Sequence, residues 1–312
     1  MRHAAVVGAG TMGFGIALRL AAAGHDTVLV GRTQASLGRA RTAIAAAVGV
    51  LAEEGALSRD AAARALGGVR TAVDLGAVAD ADWVVEAIPE RLSDKQALFT
   101  ALDGIAGPDA VLTSTTSTLS MRDIAAGMRS PGRVALTHFV NPPHIVPLVE
   151  VIGHPATPET AVARLMEDLR AAGWSPVRLG REVPGHLVNR MQMALVREAL
   201  ALIEEGAADA RAIDTAMRDG LGPRWAVLGP LETADFGGLA VWRTVIDLIA
   251  PHLANGTPTA VLDRMVQAGR LGVRAGRGFH AYEGDDPEAL VADRDRRLLR
   301  VLAARQRDAG PR

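Results

Sequence analysis

Two stretches of this sequence combine residue types that could do chemistry. The first is Thr137-His138-Phe139-Val140-Asn141-Pro142-Pro143, with Glu150 just past the proline-rich turn that follows it. An imidazole titrates at about pH 6.5, so His138 can take a hydroxyl proton and return it near neutrality. Glu150 is spaced to face that ring, orient it and stabilise its protonated form. The pair suits general acid–base work on an alcohol or a carbonyl.

The second stretch is Gly8-Ala9-Gly10-Thr11-Met12-Gly13. A GxGxxG is weak evidence by itself in a chain rich in alanine and glycine. Here it follows the apolar run Ala4-Ala5-Val6-Val7, opens a helical pattern, and has the β-branched Thr27-Val28-Leu29-Val30 behind it. That is the context a dinucleotide fingerprint requires. Gly8 permits the tight turn, Gly10 lets backbone approach a pyrophosphate, and Gly13 lets helix and strand pack closely. Amides at the helix start, at Thr11 and Met12, then face the phosphates.

The end of the second strand decides between cofactors. A carboxylate there would accept hydrogen bonds from the adenosine ribose and repel a 2′-phosphate. This chain has Gly31, then Arg32 and Thr33. Arg32 offers a forked, charge-assisted contact to phosphate and Thr33 a hydroxyl, so NADP is expected in preference to NAD.

The elements that must position these groups follow from length and pattern. With 312 residues, two domains of about 150 residues each are expected. Apolar residues make up 49% and charged residues 22%, which places the chain among ordinary globular proteins. Strand patterns at 4–7, 27–30, 83–87, 110–113, 133–137 and 148–151 alternate with helical ones. The fold class is therefore α/β, a Rossmann-type, doubly wound and mainly parallel sheet. Residues 37–68 read as a helical hairpin broken near Gly55. From 186 to 205 a long amphipathic helix begins, and no strand pattern follows it. We expect a dinucleotide domain over 1–183 and an all-α substrate and dimerisation domain over 184–312.

Composition also excludes functions. There is no cysteine, hence no disulfide, thiolate nucleophile or thiolate metal site, and no metal ligand is assigned. A net charge of -1 gives no electrostatic case for nucleic acid. Lys95 is the lone lysine and Tyr282 the lone tyrosine, far apart, which excludes the Tyr-x-x-x-Lys pair of short-chain dehydrogenases. Met1-Arg2-His3 runs straight into the first strand, and no apolar run reaches the roughly 18 residues of a membrane span. A soluble, cytoplasmic protein is expected.

Longer motifs carry a resemblance. "VVEAIPERLSDKQALF", "TSTTSTLS", "HFVNPPHIVPLVEVI" and "EVPGHLVNRMQMALVREALALIEEG" resemble the 3-hydroxyacyl-CoA dehydrogenase family over nearly the whole chain. The doubled proline and "DGLGPRWAVLGPLETADFGGL" resemble its branch containing L-gulonate 3-dehydrogenase and lambda-crystallin. The resemblance implies that His138 is the general base and Glu150 its partner. Ser117 and Asn141 would contact the substrate oxygen or the nicotinamide, and Asn189 would reach in from the long helix. Glu90 and Lys95 would contact the nicotinamide half of the cofactor. Ala47 and Glu54 stand where a serine and a lysine touch coenzyme A in better-known members, and Glu54 would repel a phosphate. Trp225 and Trp242 are candidates for the acyl pocket. The implied reaction interconverts a 3-hydroxyacyl group, as a thioester or a free acid, with its 3-keto form, and the implied assembly is a homodimer through the helical domain. Two rivals remain: a lysine-based 6-phosphogluconate-like dehydrogenase, which would need a lysine that residues 186–205 lack, and a non-catalytic dinucleotide-binding protein on the same scaffold.

Overall fold

A computed structural model describes residues 3–256, 259–282 and 284–308. The chain divides into two compact units, Met1–Leu187 and Val188–Arg312. The first is built on eight strands: β1 (His3–Val7), β2 (Asp26–Val30), β3 (Val69–Ala72), β4 (Trp83–Glu86), β5 (Val111–Ser114), β6 (Val134–Phe139), β7 (Leu148–Gly153) and β8 (Ser175–Arg178). They lie in the order β3-β2-β1-β4-β5-β6-β7-β8, parallel throughout except that β7 runs antiparallel to β6. The chain reverses direction across the sheet between β1 and β4, and their carboxyl ends form the crevice where such sheets bind ligands.

Helices cover both faces: α1 (Thr11–Ala22), α2 (Gln34–Glu53), α3 (Arg59–Gly67), α4 (Leu92–Ile105), α5 (Met121–Ile124) and α6 (Glu159–Ala171). Alternate strand residues go to opposite cores because side chains on a strand alternate faces. Ala4 and Val6 pack with Ile16 and Leu20 of α1 and Leu165 of α6. Ala5 and Val7 pack with Phe99 and Leu102 of α4. A strand buried on both faces reads as a continuous apolar run, as these do.

Two strands have no counterpart among the sequence expectations. β3 and β8 are the sheet edges, four residues each and only partly buried, so neither has an apolar run to reveal it. β8 contains Pro176, which an edge strand tolerates because one side makes no ladder bonds. A second departure concerns α2, which by length and composition is apolar enough to cross a bilayer. It is instead a crossover helix, capped by Thr33, with Leu37, Ala40, Ile44, Val48 and Leu51 as its buried stripe.

The second unit contains no strand among its described residues. Its helices are α7 (Val188–Glu204), α8 (Ala210–Thr215), α9 (Gly222–Val227), α10 (Pro230–Gly237), α11 (Leu239–Ile249), α12 (Ala260–Gln267) and α13 (Pro287–Asp308). An α/β sheet followed by an all-helical unit is the expected fold class.

Candidate active site

The glycine turn sits at the β1–β4 crevice. Gly8 has φ +120°, and a Cβ there would run into the carbonyl of Ala87 at the end of β4. A Cβ on Gly13 would run into the carbonyl oxygen of Gly8. Gly10 differs, because its Cβ position has no neighbour within 4 Å. Gly8 and Gly13 are glycines for the packing of the turn itself, whereas Gly10 opens onto free space. Gly10 begins α1 with no side-chain cap among the described residues, and the first intrahelical bond runs from Phe14 N–H to Gly10. The amides of Thr11, Met12 and Gly13 precede that bond, at the positive end of the helix dipole. Open space in front of such a turn fits the pyrophosphate of a dinucleotide.

These glycines make a paired test. Gly10→Ala should leave the melting temperature within a degree or two of the native protein, yet weaken dinucleotide binding about tenfold or more, because its methyl enters ligand space. Gly13→Ala should destabilise the fold by about 1–3 kcal/mol or more, since a backbone carbonyl cannot yield as a side chain can. Thermal melts and fluorescence titration with reduced cofactor separate the two effects.

At the end of β2, Gly31 has a packing reason as well as an electrostatic one. A Cβ there would lie 2.7 Å from Cδ2 of Leu37, a side chain that is 1% exposed. Arg32 is exposed. Thr33 caps α2, its hydroxyl accepting from the Ser36 amide at 3.1 Å.

Beyond β4 lies a buried ionic cluster. Lys95 of α4 is 0% exposed and donates from Nζ to Glu86 Oε1 at 2.6 Å, with Glu90 Oε2 at 3.3 Å. The hydroxyl of Ser114, at the end of β5, donates to the other Glu86 oxygen at 2.5 Å. Glu90 Oε1 accepts from the Thr116 hydroxyl at 2.5 Å and from the amides of Ser117 and Thr118 at 3.0 and 3.1 Å. Burial opposes ionisation of Glu90, but the Thr116 hydroxyl, the Lys95 ammonium and these amides outweigh it and hold its carboxyl at about 2. Glu90 therefore stays ionised at neutral pH. Its side chain is 37% exposed against 1% for Lys95, so Glu90 is the member that can meet a ligand.

The acid–base pair is a cross-strand pair. β6 and β7 are in register with His138 opposite Glu150, and His138 Nδ1 donates to Glu150 Oε2 at 2.6 Å. The other carboxylate oxygen accepts from the amide of Leu187 at 2.7 Å. Glu150 is 0% exposed and His138 5% exposed, so water does not compete for this bond. A carboxylate can only accept, so neutral His138 carries its proton on Nδ1 and leaves Nε2 as the base. Ser117 Oγ lies 3.3 Å from that Nε2. Glu150, His138 and Ser117 thus form one chain of contacts beside Glu90. Asn141 is exposed in the turn after β6, and Asn189, Trp225 and Trp242 belong to the helical unit.

Comparisons with known proteins agree with this geometry. Residues 3–183 match "3-hydroxyacyl-CoA dehydrogenase, NAD binding domain", and residues 185–282 match "3-hydroxyacyl-CoA dehydrogenase, C-terminal domain". The chain belongs to the 3-hydroxyacyl-CoA dehydrogenase family. One relative in that family is 5-formyl-3-hydroxy-2-methylpyridine 4-carboxylate 5-dehydrogenase of Mesorhizobium japonicum, 35% identical over 98% of this chain and 100% of the relative. Another is L-carnitine dehydrogenase of Nocardiopsis dassonvillei, 37% identical over 97% of this chain and 92% of the relative. A crystal structure described as the first of these activities, "an NAD+ dependent dismutase", is 34% identical with a TM-score of 0.90, covering 98% of this chain and 99% of that one. Family members are dehydrogenases that use a nicotinamide dinucleotide.

Sequence reasoning missed Glu86, Thr116 and His186. Glu86 had a readable signal, since a lone acid closing the apolar run Trp83-Val84-Val85 must find a buried partner, and Lys95 is the only lysine. Thr116 and His186 had none, because their partners lie on distant segments.

Proposed function

We propose that the protein interconverts a free 3-hydroxy acid and its 3-keto form with NADP as hydride carrier. The observation that carries this reading is the Glu150–His138–Ser117 chain, with spacings of 2.6 and 3.3 Å, in the same sheet as the Gly8–Gly13 turn. In the oxidative direction the substrate hydroxyl meets His138 Nε2 and gives up its proton there. Glu150, facing Nδ1–H, stabilises the resulting imidazolium. Ser117 and Asn141 orient the substrate oxygen, and Glu90, seated by Lys95, orients the cofactor's nicotinamide half. The bound nicotinamide supplies or accepts the hydride. In the reductive direction His138 returns the proton to the carbonyl oxygen.

Two observations favour a free acid over a coenzyme A thioester. Glu54 stands at the carboxyl end of α2, where a cation would serve a phosphate, and Ala47 supplies no hydroxyl there. The two relatives described above are named for substrates that carry no coenzyme A. A panel of 3-keto compounds, each as free acid and as thioester, tests the reading with reduced cofactor. Turnover on free acids supports it, and turnover confined to thioesters overturns it.

The preference for NADP rests on Arg32 and on the absence of an acid at position 31. Gly31→Asp is a poor switch, because its Cβ would press on buried Leu37. Arg32→Glu is cleaner, since Arg32 is exposed. It should weaken NADPH at least tenfold while leaving NADH within about threefold, because only the 2′-phosphate meets the reversed charge. A native protein that binds NADH more tightly than NADPH would contradict this assignment.

A homodimer through the helical unit belongs to the same proposal. Leu231 and Phe236 on α10 are 81% and 82% exposed, Val227 on α9 is 78% exposed, and Leu239 and Leu248 on α11 exceed 60%. So many exposed apolar side chains on neighbouring helices favour an interface, and two-fold symmetry pairs such a face with itself. Light scattering on dilute protein should give twice the single-chain mass of 32.6 kDa. The single-chain value would rule the dimer out.

A further inference from the structure

His186 takes no part in the mechanism above, yet it lies in its midst. The residue is 2% exposed and has φ +51°, the left-handed region that a non-glycine residue rarely occupies. Its ring centre is 5.1 Å from that of His138, tilted by 55°. Its Nε2 lies 3.3 Å from the carbonyl oxygen of Thr116. A carbonyl only accepts, so the proton of a neutral His186 sits on Nε2. Among the described residues Nδ1 has no hydrogen-bond partner, although it is fully buried. A second proton would therefore place an N–H where nothing accepts it.

The peptide that His186 holds is shared by both halves of the site. Thr116 donates its hydroxyl to Glu90, Ser117 donates its amide to Glu90, and Ser117 Oγ contacts His138 Nε2. We propose that His186 is a positioning residue, a second imidazole kept neutral so that the Thr116–Ser117 peptide stays seated and the charge on His138 meets no like charge. This rests on the dehydrogenase reading given above.

The groups facing His186 are His138 on β6, Glu150 on β7 and Glu182 on its own segment. Burial pushes its imidazole below the usual value; the Thr116 contact and the two carboxylates act the other way, and His138 adds to the lowering. Glu182 is also engaged elsewhere, accepting from the Ser120 hydroxyl at 2.9 Å and the Met121 amide at 2.8 Å. A charged His186 at this ring spacing would repel the charge that His138 carries during turnover. The hydrogen bond of each ring selects which nitrogen carries its proton, Nδ1 in His138 and Nε2 in His186.

Reduction needs protonated His138 as the proton donor and neutral His186 beside it. Activity in that direction should fall at low pH as His186 gains a second proton. His186→Gln keeps a donor for the Thr116 carbonyl but cannot titrate, whereas His186→Phe keeps the ring and loses the donor. We expect His186→Gln to retain turnover within about threefold at neutral pH and to lose the acid limb of kcat/KM for reduction. His186→Phe should lose the acid limb too, and also lose turnover about tenfold as Ser117 loosens. An acid limb unchanged in both variants would overturn the proposal.

Nitrogen NMR of the histidine rings in the full-length, cofactor-free protein gives a reading that needs no turnover. The expected result is a neutral His186 with its proton on Nε2 from about pH 6 to pH 8. A protonated ring at neutral pH, or a proton on Nδ1, overturns the proposal whatever the enzyme reduces. Failure of every substrate to turn over would instead count against the dehydrogenase reading, while the NMR result still decides the state of His186.

Discussion

Replacing His138 by alanine will lower turnover by about 10²–10⁴-fold, the usual contribution of a positioned general acid–base, and will leave dinucleotide affinity within about threefold. The separation follows from where the groups sit. The cofactor turn is Gly8–Gly13, at the end of β1, and Glu90 is seated by Lys95, Thr116 and Ser117. The change removes the His138 donor from Glu150, a carboxylate that is 0% exposed. Some stability should be lost with it, about 1–3 kcal/mol for a charge-assisted hydrogen bond removed from a buried carboxylate. Steady-state rates at saturating cofactor, with a thermal melt to confirm folding, measure both consequences. Turnover unchanged by the substitution would remove His138 from the mechanism.

Glu150→Gln should cost nearly as much, for a different reason. Glu150 is bound at both oxygens, Oε2 by His138 Nδ1–H and Oε1 by the Leu187 amide. A glutamine has one oxygen and one NH2 to offer. With its oxygen toward Leu187, the NH2 faces Nδ1, which must then give up its proton and move it to Nε2, where the base has to be bare. With its oxygen toward His138, the NH2 confronts the amide of Leu187, and two donors oppose each other in a buried site. The first arrangement inverts the tautomer, which in Ser-His-Asp enzymes costs about 10⁴-fold in kcat. We expect a loss of about 10²–10⁴-fold for Glu150→Gln, together with loss of the charge that stabilises the imidazolium. Histidine NMR on the variant should show the His138 proton moved to Nε2. Rates within threefold of the native protein would mean that Glu150 is only a structural acid.

What was legible in the sequence was local. The Ala4–Val7 run, the glycine turn and the β-branched 27–30 segment announce a βαβ unit because each feature spans a few adjacent residues. His138 and Glu150 could be paired because one turn separates them and antiparallel strands bring such residues opposite each other. The edge strands β3 and β8 were hidden because an edge, half in solvent, needs no apolar pattern. Glu86 and His186 stayed hidden because their meaning comes from Lys95 and Thr116, which the fold supplies from other segments. Gly31 was legible in half, since the missing carboxylate could be read but the pressure of Leu37 on its Cα could not.

In the proposed reaction a hydride moves between a nicotinamide and a hydroxyl-bearing carbon while His138 moves the proton. Reduced cofactor carrying deuterium at the transferable C4 position, incubated with a 3-keto acid that the protein turns over, tests it most directly by mass spectrometry. The expected result is one deuterium in each alcohol formed by the native protein, and formation of that alcohol at least a hundredfold slower with His138→Ala. Alcohol formed without deuterium, or labelled alcohol formed at an undiminished rate by His138→Ala, would contradict it.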